Sequence, residues 1–499
     1  MRRWILAGLV MCCGLGCRSK PQDITIFHTN DIHGHFAAEP IERQGQTPAV
    51  GGMSALGWYL DSLRQLHPNS LYLDAGDLVT GNPVCNMEFD GVEGGALLEM
   101  LDRCKLDAMT LGNHEFDLGA DHLRRFVRAS PFPILCSNLY ERSADSLLGS
   151  PSQVFKVGLT RVGVIGVLMD ALAGSVSKSA MEPFRVADAA MSAQEQIDRL
   201  DAETDLLILL THIGVEGDSI LATRIRNADV IVGGHSHTRI ESPRVVNNVL
   251  IVQAGSYCKE LGQLDLEVAN DAIVKYDGRL IPLVESNAAR QTFVGLFADS
   301  IMQAIRRQYG QVIGDLGQSW ATSYHTGSNV GNWVCDRLRE RYSSDVAFVN
   351  AGGIRADLPG GPITMLDVLE MLPFTNAVVT FSVKGSELLK TAGEQIRAQA
   401  LHAHGALEMS GMTISYSSRI DGPELRNVRI GGHPLEASRT YRVVTIDYVA
   451  FAQWNRYLGF EPHDVEITGE QISTVIGEEI RRAPQPIVAD NAPRLKEVQ

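Results

Sequence analysis

Apolar segments in the first half of the chain repeatedly end where a polar side chain begins. Such short, β-rich segments bounded by glycine predict buried strands. The five that share this arrangement are residues 24–27, 70–73, 108–111, 206–210 and 230–232. Ligands of open α/β sheets bind beyond the carboxyl ends of the strands. One sheet could therefore bring all five of the turns that follow to one edge.

Helix-like segments alternate with these predicted strands. Residues 91–105 and 187–200 have apolar positions at helical spacing, and residues 162–167 and 249–252 predict further buried strands. The alternation over residues 22–285 predicts a layered α/β domain.

The pattern restarts in the second half of the chain. Residues 286–310 carry apolar positions at helical spacing and predict a linker helix. Beyond it, residues 311–499 predict a second α/β domain. Its predicted strands are residues 345–349, 378–383, 412–416 and 441–446, and its predicted helix is residues 386–399.

Length and charge narrow the class of protein. The chain has 499 residues, which is too long for one hydrophobic core. Its formal net charge of −15 argues against a nucleic acid as the main partner. A small phosphorylated ligand stays possible because a bound metal can outweigh the overall field. The oligomeric state is left open.

The N-terminus predicts export. Arg2 and Arg3 precede an apolar run over residues 4–16, which is shorter than the ~20 residues of a membrane span. We expect a signal peptide over residues 1–21, with lipidation at Cys17 and a periplasmic or cell-surface location. Ordinary cleavage nearby is the alternative. The mature chain would meet a membrane only through this lipid anchor, and ordinary cleavage would leave it soluble outside the cytoplasm.

Five cysteines remain outside the export segment, an odd number without a close pair. They are Cys85, Cys104, Cys136, Cys258 and Cys335. We expect buried thiols, and the sequence leaves one disulfide possible without saying which.

Side chains that bind metals follow each of the five predicted strands. Their mixture of carboxylate, amide and imidazole donors suits Zn²⁺, Mn²⁺, Fe or Co²⁺. Two divalent ions about 3.5–4 Å apart need one bridging carboxylate and further ligands on each side. The candidate ligands are Asp31, His33, Asp77, Asn113, His212, His235 and His237. A calcium-stabilised structural protein fits poorly because four of these seven are histidines.

Each motif alone would more often be a loop than a metal site, and the prediction depends on all five occurring in order. His28 is the contrast case. It directly continues the first apolar segment, residues 24–27, and we expect it to be a satisfied core histidine.

The ordered motifs resemble the calcineurin-like metallophosphoesterases. They are Asp31-x-His33, Gly76-Asp77, Gly112-Asn113-His114-Glu115-Phe116-Asp117, His212 and Gly234-His235-Ser236-His237. The full sequence of the third motif resembles that of the 5′-nucleotidase branch. The resemblance extends from about residue 23 to the end of the chain. It implies a layered αββα metallophosphoesterase domain, joined by a connecting helix to a second α/β domain that binds the substrate.

The resemblance also implies roles. One metal would be held by Asp31, His33 and His237. The other would be held by Asn113, His212 and His235, with Asp77 bridging the two. His114 would stabilise or protonate the leaving oxygen, with Asp117 holding its ring. The alternative for His114 is a structural histidine beside the metals.

Candidate substrate-binding residues lie in the second half. A glycine loop after a predicted strand can approach a ligand closely, and an arginine can clamp phosphate. These loop residues are Asn350, Gly352, Gly353 and Arg355. By resemblance, Phe374 and Asn376 belong to the segment that stacks on a nucleobase. The second stacking aromatic is Tyr448, or Phe451 if the register is shifted. Simple core packing is the alternative for Phe374.

Two departures from the family concern substrate choice. Residues 323–328 contain no arginine where the family has one, and Trp454 stands near the place of an aspartate that engages sugar hydroxyls. The leading hypothesis is an exported phosphoesterase with two divalent ions that acts on nucleotides. The same chemistry on nucleotide sugars, 2′,3′-cyclic nucleotides or non-nucleotide phosphoesters is the alternative. A non-catalytic surface protein that binds nucleotides is the third reading.

Overall fold

The computed structural model describes residues 20–40, 48–401, 405–419 and 422–498. Cys17 and the rest of the predicted export segment up to residue 19 lie outside this range. Within it, we find no helix with the length and apolar character needed to span a bilayer. The five cysteines of the described residues are all free and buried.

Two six-stranded sheets form the first domain. In the first, two antiparallel strands extend one side of four parallel strands. In the second, four parallel strands lie between two antiparallel edge strands. The first sheet has the spatial order Ile273–Pro282, Glu260–Val268, Gln22–Thr29, Ser70–Asp74, Ala108–Thr110 and Ile134–Leu135. The second has the order Ser152–Val157, Thr160–Leu168, Leu206–His212, Val230–Val232, Val249–Val252 and Arg244–Val246.

Apolar side chains from both sheets meet in a shared core, which includes Ile24, Leu71, Val164 and Ile208. Helices cover the outer faces. The first sheet packs against Met53–Leu66, Gly95–Arg103, Ala120–Ala129 and Phe293–Tyr309. The second packs against Ala189–Leu200 and Val215–Arg224. These are the four layers that the sequence predicts.

The predicted linker helix consists of Asn287–Arg290 and the longer Phe293–Tyr309. Its buried face, which includes Val294, Ile301 and Ile305, packs into the outer core of the first domain. This helix therefore leads to the second domain while it covers one sheet of the first.

The second domain has its own core. A five-stranded sheet has the order Leu407–Ser410, Val346–Asn350, Thr440–Ile446, Ala377–Lys384 and Glu466–Gln471. A four-stranded sheet has the order His433–Pro434, Gly422–Ile430, Met412–Arg419 and Leu495–Glu497. The main helices are Asn329–Arg341, Met365–Met371, Gly385–Leu401 and Ile472–Arg482.

His28 is buried in its strand, as the sequence suggests, but it is not fully satisfied. Its ring packs against Gly262 of the neighbouring strand, and its Nδ1 has no hydrogen-bond partner. Burial lowers the pKa of His28 to about 3, so this core position holds a neutral imidazole.

The two sheets approach each other closely at Gly166. A Cβ there would overlap the backbone carbonyl of Leu135 in the first sheet. The carbonyl of Gly166 also accepts hydrogen bonds from the backbone N–H (2.8 Å) and the hydroxyl (2.7 Å) of Ser137.

We predict that Gly166→Ala lowers the free energy of unfolding by about 1–3 kcal/mol, because overpacking must move backbone. Gly393→Ala is the matched control. Nothing lies within 4 Å of a Cβ at this helical position, so it should raise the stability by about 0.5–1 kcal/mol. Urea unfolding of both variants measures the two effects. Equal stability of Gly166→Ala and wild type would contradict the close sheet contact.

Candidate metal centre and substrate face

The seven predicted metal ligands lie together at one edge of the first domain. Donor atoms of Asp31, His33 and His237 are all within 4.8 Å of one another. Donor atoms of Asp77, His212 and His235 form a second group with the same spacing. Asn113, the seventh candidate, places its Oδ1 2.9 Å from Nδ1 of His235.

Asp77 lies between the two groups. Its Oδ2 is 3.1 Å from Nε2 of His212 and 3.9 Å from Nε2 of His33. Nε2 of His237 is 3.1 Å from Nε2 of His33 and 3.4 Å from Oδ1 of Asp31. The donors thus form one continuous cluster centred on a single carboxylate.

Hydrogen bonds on the outer side of the rings fix which nitrogen faces the cluster. Nδ1 of His33 donates to the carbonyl of Thr80 at 3.0 Å, and Nδ1 of His212 donates to the carbonyl of Ala75 at 2.7 Å. Both rings therefore present Nε2 inward as an acceptor, which is the arrangement of metal-binding histidines.

Five of the seven candidate ligands have a left-handed backbone, a conformation that non-glycine residues seldom adopt. Their φ angles are 51° for Asp31, 51° for His33, 57° for Asp77, 77° for His235 and 53° for His237. Strain of this kind persists only where the surroundings impose it. The tight turns after the strands impose it here.

The turns are also tied to one another. The backbone N–H of Asp31 donates to Gly76 O at 2.9 Å, and that of His33 donates to Asp77 O at 3.0 Å. The backbone N–H of His235 donates to both carboxylate oxygens of Asp31, at 3.1 and 2.9 Å. The ligand positions are thus set by main-chain contacts and not only by the side chains.

Glu115 connects two of these turns through hydrogen bonds to their backbones. It is 1% exposed, and its carboxylate accepts from the backbone N–H of Gly112 (2.6 Å), Asp77 (3.1 Å) and Leu78 (2.8 Å). Burial raises the pKa of Glu115 to about 7, and the charge of Asp77 adds to this. Its contacts make it an internal brace for the loops that carry Asp77 and Asn113.

The negative charge that this cluster keeps on Asp77 favours the binding of a cation. Burial opposes the ionisation of Asp77, but His212 and His114 hold its pKa well below its usual range. Burial lowers the pKa of His212, yet Asp77 outweighs it and raises the value to about 10. Burial, with His212, lowers the pKa of His235 to about 4.

The residues present fit a divalent ion. Nε2 of His212 is buried and has no well-formed hydrogen bond to any described residue, although it lies 3.1 Å from Oδ2 of Asp77. A metal would take the place of the proton that this pair otherwise needs, because bound histidines are neutral and bound carboxylates ionised. Imidazole, carboxylate and amide donors together match first-row transition ions.

His114 lies beside the cluster, and its ring is held by Asp117, which is not a candidate metal ligand. Its Nδ1 donates to Oδ2 of Asp117 at 2.7 Å, and the hydroxyl of Thr80 donates to the same oxygen at 2.9 Å. Its backbone N–H donates to Oδ1 of Asp77 at 2.8 Å. Burial lowers the pKa of His114, but Asp117 and Asp77 outweigh it and raise the pKa to about 9. A ring nitrogen of His114 also lies within 4.8 Å of donor atoms of His33 and Asp77.

Two predicted substrate residues of the second domain face this centre. The ring of Phe374 lies 5.8 Å from the ring of His114. Cζ of Arg355 lies 6.0 Å from the ring of Phe374, and Nη2 of Arg355 donates to the hydroxyl of Tyr257 at 3.2 Å. The arginine and the aromatic ring therefore border the space above the metal ligands.

The other predicted substrate residues lie behind or beside these two. Asn350 ends its strand and is buried, with an Oδ1 that has no hydrogen-bond partner. Gly352 and Gly353 belong to the turn Ala351–Gly353 that follows. Gly353 and Asn376 line one depression with Phe374.

Tyr448 begins the turn Tyr448–Ala452. Burial raises its pKa, Arg456 opposes this, and Asp117 adds to it. The charge of Asp117 thus reaches Tyr448 from the first domain. Directly after this turn, Gln453 is buried and donates to the carbonyl of Gly174 in the first domain.

Sequence reasoning did not assign Glu115, Tyr257 or Gln453. Glu115 lies inside the motif that supplied Asn113 and His114, so its position was a usable signal. Tyr257 lies in the loop after the strand Val249–Val252, where the strand-end rule also applies. Gln453 carries no local signal, because only the packing of the two domains buries it.

Comparison with known proteins assigns both halves of the chain. Residues 24–239 match the calcineurin-like phosphoesterase family. Residues 298–457 match the C-terminal domain family of 5′-nucleotidases. The first match contains all the candidate metal ligands, and the second contains all the candidate substrate residues.

Individual relatives align over nearly the whole chain. The 5′-nucleotidase of Diplobatis ommata is 28% identical over 497 residues, which cover 89% of this chain and 85% of the relative. The 5′-nucleotidase precursor of Thermus thermophilus has a solved structure with a TM-score of 0.82 and 27% identity, covering 96% of this chain and 99% of its own.

A second solved structure is similar in fold. The sulfate thiohydrolase SoxB of Thermus thermophilus has a TM-score of 0.75 at 20% identity, covering 95% of this chain and 96% of its own. The two matched domains, in this order, carry the predicted fold. The chain therefore belongs to the 5′-nucleotidase family of calcineurin-like phosphoesterases and is a metal-dependent phosphoester hydrolase.

Proposed function

We propose that this protein hydrolyses the phosphate esters of nucleotides with two divalent ions bound at the centre around Asp77. The observation that carries the proposal is the pair of donor groups that meet at this carboxylate, with the hydrogen-bonded pair His114 and Asp117 beside them. The ions would be Zn²⁺, Mn²⁺, Co²⁺ or Fe, as the donor types suggest.

The seven donors divide naturally between two ions. In our proposal Asp31, His33 and His237 hold one ion. Asn113, His212 and His235 hold the other, and Asp77 bridges them. When bound, such ions lower the pKa of a coordinated water from about 15.7 toward about 7 and neutralise charge on phosphoryl oxygens.

His114 would act on the ester oxygen that leaves. Its Nδ1 is occupied by Asp117 at 2.7 Å, so Nε2 is free to donate to an oxygen in the space above Asp77. Thr80 fixes the Asp117 carboxylate through the same oxygen. A proton donor held in this way contributes about 10²–10⁴-fold to a rate.

The second domain would supply recognition. The guanidinium of Arg355 can clamp phosphoryl oxygens with two parallel hydrogen bonds. Phe374 and Tyr448 offer flat surfaces to an aromatic base. Asn350 adds a buried Oδ1 without a well-formed hydrogen bond among the described residues, and this oxygen can accept from a substrate hydroxyl or amine. Gly352, Gly353 and Asn376 would shape the loop beside them.

Non-nucleotide or modified phosphoesters are the second candidate. Residues 323–328 supply no arginine. Gln453 donates to the carbonyl of Gly174 in the first domain, and no aspartate follows it in the place where the family engages a sugar. Nucleotide sugars and 2′,3′-cyclic nucleotides are the variants of this candidate that keep the aromatic surfaces in use.

Export and domain limits are part of the proposal. We propose a signal peptide over residues 1–21 with a lipid anchor at Cys17, which fits the basic and apolar character of this segment. We propose catalytic and substrate domains over residues 22–285 and 311–499, with residues 286–310 between them. The packing of Phe293–Tyr309 on the first domain supports a fixed rather than a loose connection.

We predict that 5′-AMP gives the highest kcat/KM in a panel with UDP-glucose, 2′,3′-cyclic AMP and an aryl phosphate, measured on Mn²⁺-loaded protein by phosphate release. Phe374→Leu should raise the KM for 5′-AMP by about 5- to 100-fold, since base stacking contributes about 1–3 kcal/mol, and should leave the KM for glycerol phosphate unchanged. A preference for UDP-glucose or the cyclic ester would select the second candidate. Hydrolysis of no ester would contradict the proposal.

We predict that His114→Ala lowers kcat by about 10²–10⁴-fold, because the leaving oxygen loses its proton donor, while metal content stays that of wild type. His463→Ala is the control, since this histidine is exposed on the second domain. Steady-state kinetics and elemental analysis provide the two readouts. An unchanged kcat would remove His114 from the mechanism.

We predict that Asp77→Asn lowers the metal content from about two ions per chain to one or none, because a neutral amide lacks the negative charge that a ligand shared by two cations supplies. Asparagine tolerates the left-handed backbone of this position, so the turn should survive. Asp90→Asn is the matched control, with a φ of 50° at an exposed position. Elemental analysis after dialysis measures the number of ions per chain. Two retained ions in Asp77→Asn would exclude the bridging role.

A further inference from the structure

Tyr257 is an aromatic residue of the first domain that touches the metal ligands without being one. Its hydroxyl accepts a hydrogen bond of 3.2 Å from Nη2 of Arg355, which belongs to the second domain. The bond therefore crosses from the metal-binding loops to the loop that we propose for phosphate recognition.

The ring of Tyr257 is fixed relative to the metal ligands. Its backbone N–H donates to the carbonyl of Asp31 at 2.8 Å, and its φ of 62° places the residue in a left-handed turn. The ring centroid lies 5.3 Å from that of His237 and 5.7 Å from that of His33. Any movement of this ring would disturb two candidate ligands.

The other side of the ring is fixed as well. His35 packs against it with ring centroids 4.4 Å apart, and Nδ1 of His35 lies 2.7 Å from Oε1 of Glu39. Lys259 lies 3.3 Å from the other oxygen of Glu39 and 5.3 Å from the Tyr257 ring. Tyr257 is thus held between the metal ligands and a charged pair that fixes His35.

Arg355 lacks such support of its own. Its side chain is exposed, and a free arginine side chain carries about 2 kcal/mol of rotamer entropy. Its Cζ lies 6.0 Å from the ring of Phe374, which in turn lies 5.8 Å from the ring of His114, so the guanidinium lies on the side of the metal centre. The Tyr257 hydroxyl is the polar contact across the domains that keeps it there.

We propose that Tyr257 is a positioning residue that holds the Arg355 guanidinium over the metal centre, ready to receive phosphoryl oxygens. Part of the ordering cost of the arginine is then met before the ligand binds. The bond joins the two domains, so Tyr257 also links phosphate affinity to their relative placement. The inference rests on the role of Arg355 in the proposed function.

Tyr257→Phe tests the proposal because it keeps the ring and removes only the hydroxyl. We expect the dissociation constant for inorganic phosphate, measured by calorimetry on Mn²⁺-loaded protein, to rise about 3- to 10-fold, the range of one lost hydrogen bond. The KM for 5′-AMP should rise by the same factor with kcat within about twofold, since the proton donor His114 is untouched.

A double-mutant cycle with Arg355→Ala decides whether Tyr257 acts through the arginine. In the Arg355→Ala background, Tyr257→Phe should have no further effect on phosphate binding. Tyr276→Phe is the matched control, since Tyr276 is 44% exposed on the outer strand Ile273–Pro282. Elemental analysis should find the same metal content in all variants.

Three results would overturn the inference. They are unchanged phosphate affinity in Tyr257→Phe, an equal loss with and without Arg355, or metal loss in Tyr257→Phe, which would make the hydroxyl structural. Failure of the proposed function would look different. Wild-type protein would then hydrolyse no nucleotide, while the coupling of Tyr257 and Arg355 in phosphate binding would persist and still support the positioning role.

Discussion

Seven donor side chains crowd together at one edge of the two packed sheets of the first domain. The rest of this structure depends on that constraint. Parallel strands of two sheets end at the same edge, and the turns after them are forced into left-handed conformations. Main-chain hydrogen bonds between the turns hold Asp77 against His212, whose inward Nε2 has no well-formed hydrogen bond among the described residues. A divalent ion is the species that relieves this arrangement, so the strain of the turns and the charge of the cluster have the same explanation.

Much of this centre could be predicted from sequence because its signals are local. Strand ends are visible as apolar runs, and Asp31 or Asn113 follows such a run within four residues. The bonds of Glu115 to Asp77 and Leu78, and that of Tyr257 to Arg355, were beyond reach, since they join segments far apart in the chain. Gln453 was the hardest case. Its burial comes from the packing of one domain on the other, which leaves no trace in hydrophobic periodicity.

The two domains present side chains of different physical character. The first holds the charges rigidly, with buried donors whose positions the backbone sets. The second presents larger and more exposed groups, among them Arg355 and Phe374, that can adapt to a ligand. The contact of Gln453 with Gly174 and the bond from Arg355 to Tyr257 bring these groups to the metal centre. In the proposed function, substrate choice would therefore depend on surfaces of the second domain, and the chemistry would depend on the first.

Anomalous X-ray diffraction from crystals of Mn²⁺-loaded protein measures the central claim most directly. The account predicts two anomalous peaks about 3.5–4 Å apart, one on each side of the Asp77 carboxylate. Asp31, His33 and His237 should coordinate one peak, and Asn113, His212 and His235 the other. A single peak, or peaks away from Asp77, would contradict the two-ion centre on which the proposed chemistry is built.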